Sequence, residues 1–182
     1  YTSKEYFISI GRFTKQKNYL FLLKFLKFYF KNKKPNYNFL LIGEGEDKME
    51  LSNYIEENNL NNFVKIYDYQ KNIFPLLKKA KALLSTSLWE DPGFTLIESG
   101  YVNTSVISSD CPNGPREILD NGKNGYIFKS NSIESLKKTF DEFLNEEPNL
   151  IKLKKIKLKK HLKKYTLFNH FNILKRVFDE IK

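Results

Sequence analysis

Apolar residues along this chain fall into two alternating patterns. The first is a short continuous run ending in glycine or a polar turn, as in EYFISIG (5–11), YNFLLIG (37–43), NFVKIYDY (62–69), KALLSTS (81–87), SVISS (105–109) and GYIF (125–128). Runs of this length and continuity predict strands buried on both faces. The second pattern has helical spacing. Residues 17–34 place Leu20, Leu23, Leu26 or Phe25, and Phe30 along one stripe, and Pro35 ends it. Further helices are predicted over 47–59, 72–80, the stretch after Gly93, and 114–122, which has Pro near its start and Gly at its end. Three more, 132–146, 150–164 and 167–181, close the chain.

Strands alternating with helices predict a parallel sheet with helices on both faces, a Rossmann-like doubly wound α/β domain of about six strands. At 182 residues the chain suits one core, so residues 1–182 are expected to form a single domain, with 150–182 as closing helices. In such a fold, ligands bind beyond the carboxyl ends of the strands. The unusual residues stand there: Gly11 and Arg12 after the first strand, Gly43-Glu44-Gly45 after the second, Tyr69 and Gln70 after the third. Ser85 to Phe94 follow the fourth and Asp110 to Gly114 the fifth.

The richest of these stretches is WEDPGFTLIESG, Trp89 to Gly100. Pro92 and Gly93 break the chain, and a helix starting at Phe94 or Thr95 would offer free N–H groups and a positive dipole end to a phosphate. The spacing Thr95-x-x-Glu98 is that of a capping box, with Glu98 folded back onto the helix start. Glu90 has no such account. An acid beside an anion site suits the hydroxyls of a sugar, so the pair of carboxylates points to a nucleotide-sugar. Arg12 and Lys17 would supply a planar fork and a mobile point charge for its diphosphate, although Lys17 taken alone reads more readily as a solvated lysine. The LIGEGE turn lacks the third glycine of a dinucleotide fingerprint, and Arg116 and Glu117 are as easily structural as ligand-supporting.

The formal net charge of +10 suggests a polyanion partner until it is located. Eight lysines and no acid lie in 151–164, and 165–182 adds one net charge, leaving +1 on residues 1–150. The body is therefore no nucleic-acid surface, while 151–164, a loosely amphipathic segment, reads first as a solvated helix and second as one drawn to an anionic membrane. One cysteine, Cys111, fits a reducing compartment, and Cys111, His161 and His170 are too few for a Cys/His metal site. No apolar run approaches the roughly 20 residues that cross a bilayer. The chain opens on Tyr1 rather than Met, which suggests a piece of a longer protein.

The succession G-R-x4-K, G-x-G, E-x7-E, the VISSDCPNGPREIL turn and NGYIF resembles the C-terminal domain of retaining GT-B glycosyltransferases of family 4, over residues 5–180. The E-x7-E in its setting is the specific part. The resemblance implies a donor-binding half of an enzyme whose N-terminal acceptor domain is absent from this chain. It implies a UDP- or GDP-sugar donor, a glycan or lipid-linked acceptor, no metal or other cofactor, and a cytoplasmic protein, peripheral at the inner face of the membrane if 151–164 binds there. Arg12 and Lys17 would match the diphosphate-binding pair, Glu90 the acid near the donor sugar and Glu98 the acid at the ribose. Backbone N–H groups of Gly93, Phe94 and Thr95 would hold the phosphates, with Gly11 and Gly43 lining the site and Tyr69 near the base. The chain departs from the commoner E-G-F-G wording at Glu90-Asp91-Pro92-Gly93-Phe94. A GT-B-like sugar-nucleotide epimerase, for which no His-rich acid/base set is found, and a non-enzymatic nucleic-acid module using 151–164 are the alternatives.

Overall fold

The computed structural model describes residues 4–31 and 35–181. Six strands, β1 (Tyr6–Ile10), β2 (Asn38–Ile42), β3 (Val64–Tyr67), β4 (Ala82–Ser85), β5 (Ser105–Ser109) and β6 (Tyr126–Phe128), form one sheet in the order β3-β2-β1-β4-β5-β6. Every neighbouring pair is parallel. The helices are α1 (Tyr19–Tyr29), α2 (Lys48–Glu57), α3 (Phe74–Lys79), α4 (Phe94–Tyr101), α5 (Pro115–Ile118), α6 (Ile133–Asn145), α7 (Pro148–His161) and α8 (Leu167–Glu180). A 3₁₀ turn, Leu162–Tyr165, joins the last two.

Side chains alternate across the sheet with the period of two that strand geometry imposes, and both faces are buried. Phe7, Phe39, Leu41, Ala82, Leu84 and Ile107 join one core with α1, α2 and α6. Ile8, Leu40, Ile42, Leu83 and Val106 join the other with α3, α4, α5 and α7. The first core is aromatic: the Phe140 ring lies 4.9 Å from Phe7, 5.6 Å from Phe25 and 5.1 Å from Tyr29, centroid to centroid. The second is built mainly of leucine, isoleucine and valine, with Tyr6 among them, and fully burying each aliphatic side chain contributes about 1.5–3 kcal/mol.

Several element boundaries differ from those expected. Asn18 adopts left-handed φ and ψ, so α1 starts at Tyr19 and Lys17 stands in the loop before it. The helix buries Tyr19, Leu22, Leu23, Phe25 and Leu26, and Leu20 lies at the edge of that stripe. Part of the expected continuation to 34 falls on residues 32–34, outside the described residues. β3 ends at Tyr67, opposite Ile42, the last residue of β2, and Gly43 N–H closes the pairing on Tyr67 O at 3.0 Å. α5 is one turn long, since Asp120 and Asn121 take positive φ and break the expected run to 122.

Gly100 fixes how the closing helices sit. A Cβ there would come 2.4 Å from Leu162 Cδ1 and 2.8 Å from Leu158 Cγ, so the bare backbone of α4 lets α7 and the 3₁₀ turn come down onto it. Leu158 is the buried side chain of α7, in keeping with the loose stripe read from 151–164. α8 buries none of its side chains. No helix of the described residues is long and apolar enough to cross a membrane.

Candidate functional site

The order β2-β1-β4-β5 puts β1 and β4 side by side while their onward connections diverge, which opens a crevice between the loops that follow them. The loop after β1 carries Gly11, Arg12 and Lys17, and the loop after β4 carries Trp89, Glu90 and Gly93. Backbone and side-chain bonds zip the two loops together. Leu88 N–H donates to Gln16 O at 2.8 Å, Gln16 Nε2 to Trp89 O at 3.0 Å, and Thr86 Oγ1 to Lys17 O at 3.0 Å. From the other side, Glu90 N–H donates to Pro112 O at 3.1 Å. These ties give the crevice fixed walls.

α4 starts in the middle of the crevice. Gly93, with φ 92° and ψ 54°, is the residue before the helix, and its carbonyl already accepts from Leu96 N–H at 3.0 Å. The expected capping box therefore does not form: Thr95 is the second residue of the helix, too far in to cap it, and no side chain caps this end. Glu98 points elsewhere and lines a cleft. The leading N–H groups of α4 thus lack a capping side chain and face the crevice, with the positive end of the helix dipole behind them.

Two clefts meet at this helix start. The larger, about 710 Å³, runs over the ends of β1, β2 and β3 and includes Gly11, Arg12, Gly43, Tyr69, Thr95 and Glu98. The smaller, about 480 Å³, is lined by Arg12, Lys17, Trp89, Glu90, Phe94 and Thr95, with Gly93 in its wall. Arg12 and Thr95 belong to both. Gly43 keeps the floor of the larger cleft low: with φ 154°, a Cβ there would lie 2.0 Å from Gly11 O. Tyr69, 69% exposed, stands at its rim.

Arg12 is exposed and, among the described residues, its guanidinium has no ion-pair or hydrogen-bond partner. Lys17 is placed quite differently. Its ammonium sits 2.7 Å from Glu90 Oε1 and 2.8 Å from Oε2, and Glu90 is only 3% exposed. Ser87 Oγ donates to Glu90 Oε1 at 2.5 Å, and Ser109 Oγ donates to Ser87 O at 2.6 Å, anchoring that serine to β5. The expected basic pair is therefore one free guanidinium and one ammonium already engaged by a carboxylate. Glu98, partly buried and without a charged partner among the described residues, has its carboxyl pushed up by burial.

The structure brings all ten residues singled out in the sequence to this crevice. Arg116 and Glu117 lie apart from it in role. Arg116 forms a two-pronged pair with Asp110, and Glu117 ties α5 to the closing segment through Tyr165, Lys164 and His161. Ser87, within the Ser85 to Phe94 stretch, had no role in the sequence reading, although its position three residues before Glu90 in a turn is the signal that marks it. Glu44 and Gln70, noted at the strand ends, line the larger cleft; Lys71, Ile73 and Phe74 escaped, because lining by the loop after β3 depends on strand order, and so did Gln16 in the loop after β1. Among the described residues no group of three or more His, Cys, Asp or Glu could hold a metal ion.

Comparison with known proteins bears on this site. The family model described as "Glycosyl transferases group 1" matches residues 1–167. An uncharacterized glycosyltransferase of Methanocaldococcus jannaschii, MJ1059, is 43% identical over 113 residues, 62% of this chain and 28% of that protein. An alpha-1,4-N-acetyl-D-galactosaminyltransferase of Campylobacter jejuni, named for a PP-undecaprenol substrate, is 30% identical over 138 residues, 76% of this chain and 38% of that protein. A crystal structure of a mutant of S. aureus TarM, in complex with fondaparinux, alpha-GlcNAc-glycerol and UDP, superposes with a TM-score of 0.84 at 23% identity. It is matched over 98% of this chain and 36% of its own. The chain thus spans well under half the length of these relatives.

Proposed function

Because the chain belongs to the group 1 glycosyl transferases, we propose that it is the C-terminal, donor-binding half of a retaining, family 4 glycosyltransferase. The enzyme would transfer a hexose from a UDP-sugar, or alternatively a GDP-sugar, to a glycan or lipid-linked acceptor in cell-envelope polysaccharide or glycoconjugate synthesis. An N-terminal domain would present that acceptor from the cytoplasmic side of the membrane. The observation that carries this reading is the meeting of two clefts at one uncapped helix start, with Arg12 and Thr95 common to both. That layout suits a molecule with an anionic middle and two polyhydroxylated ends. UDP as the first choice of nucleotide is supported by the TarM complex with UDP, and a lipid-linked acceptor by the name of the Campylobacter relative.

In this reading the diphosphate lies across the start of α4, held by N–H groups of Phe94 and Thr95 and by Arg12. The larger cleft takes the nucleoside, with Glu98 accepting from ribose hydroxyls and Tyr69 beside the base; the smaller takes the hexose beside Glu90. As the bond from the anomeric carbon to the diphosphate oxygen breaks, negative charge grows on the departing diphosphate. Arg12 and the helix dipole face that charge, and Lys17, held beside it by Glu90, would join them, which is electrostatic stabilisation by charged groups kept close at hand. The reading calls for no metal. The test is thermal melting of the 182-residue chain with UDP, GDP and ADP. The expected outcome is a rise in Tm with UDP above the other two; no rise with any of the three overturns the reading.

A further inference from the structure

Glu90 and Lys17 are bound to each other more closely than a simple donor site requires. Both Glu90 oxygens lie within 2.8 Å of the Lys17 ammonium, but they are not equivalent. Oε1 also accepts from Ser87 at 2.5 Å and is held by a serine anchored to β5, whereas Oε2 has Lys17 as its partner. Lys17 has three N–H donors, two of which point at this carboxylate. A phosphate oxygen reaching Lys17 would meet one remaining donor and, beside it, a buried negative charge. Two like charges that close cannot both keep the same ammonium without cost.

We infer that Glu90 is an internal counter-ion of Lys17 that the donor's diphosphate must displace, and that displacement frees Glu90 Oε2 to accept a hydroxyl of the transferred sugar. This rests on the donor-site reading above and adds an order of events to it. Ser87 is the positioning residue: it keeps Oε1 in place while Oε2 changes partner, so the carboxylate stays beside the sugar and does not swing away. The diphosphate thereby prepares the sugar's binding group, and binding of the nucleotide and of the sugar become coupled.

The discriminating experiment is calorimetric titration of the chain with the tightest binding of UDP, GDP and ADP, in the wild type and in Glu90→Gln. Removing the competing charge while keeping the side chain's shape is expected to tighten diphosphate binding about ten-fold, within the range that couplings between neighbouring sites span. The extra affinity that a hexose adds to the nucleoside diphosphate should shrink in the same variant. Should Glu90→Gln lose its cooperative melting transition, Glu90→Ala carries the same expectation. Equal or weaker diphosphate binding in the variant overturns the inference while leaving the donor site intact. Failure of the wild type to bind any of the three overturns the donor site and the inference together.

Discussion

Glu90 stands in the loop that leads into α4 and Glu98 within α4 itself, and their surroundings differ in every respect that matters to a carboxylate. Glu90 is buried, with a lysine across both oxygens and a serine on one of them. Glu98 is partly open to the larger cleft, has no charged partner among the described residues, and its carboxyl is pushed up by burial. One acid is paired with a cation before any sugar is near; the other faces its cleft with no charged partner among the described residues. A symmetrical motif, two glutamates around seven residues, thus folds into one wired carboxylate and one waiting carboxylate. The same asymmetry holds for the basic residues, Lys17 engaged and Arg12 free. It shows that residues of one charge gathered at a single crevice take different roles from the partners the fold sets beside them.

The largest effect on this contrast is expected from Lys17→Met. It strands Glu90 as a buried charge, which costs about 3 kcal/mol of stability and lowers Tm by several degrees in a chain of this size. Unchanged melting would mean that Glu90 is not held as an ion by Lys17. Arg12→Ala should do the reverse, leaving Tm alone while weakening UDP binding about 30-fold, since hydrogen bonds to charged groups contribute about 2 kcal/mol. A comparable loss of Tm would assign Arg12 to the fold. The smallest effect is Glu98→Gln. A carboxyl whose pKa is raised on folding favours the folded state at low pH, and that contribution is lost as pH rises through the raised pKa. Glu98→Gln mimics the protonated form, so it should melt slightly above the wild type at neutral pH. That gap should close as pH falls towards the ordinary value of 4.5. A gap independent of pH would show that Glu98 is not the group responsible.

The sequence made the sheet legible because its strands are buried on both faces and so read as unbroken apolar runs. The G-x-G and E-x7-E stretches were legible because they follow strands, where a doubly wound sheet binds its ligands, and because a capping box would account for Glu98 and leave Glu90 without a structural use. What escaped was set by conformations that no periodicity announces. Asn18 in the left-handed region moved the start of α1 past Lys17, which let that lysine turn onto Glu90. Thr95 and Glu98 have the spacing of a capping box, yet Gly93 took the position before the helix and left them inside it. Ser87 became part of the site through a bond from Ser109 on β5, a neighbour only because β4 and β5 pair. Gly100 looked like the end of a motif and proved to be the seat of α7, a role visible only once Leu158 and Leu162 are in place.

The chain contains one tryptophan, Trp89, and it lies in the lining of the smaller cleft, 48% exposed, next in sequence to Glu90. Its eleven tyrosines and sixteen phenylalanines do not compete with an indole excited at the red edge of its absorption. The protein therefore carries its own optical probe at the place where nucleotide and sugar are proposed to meet. Emission intensity and colour from Trp89 should follow occupancy of that cleft in unlabelled protein, and a stopped-flow trace would time the arrival of a ligand against the movement of the acid beside it.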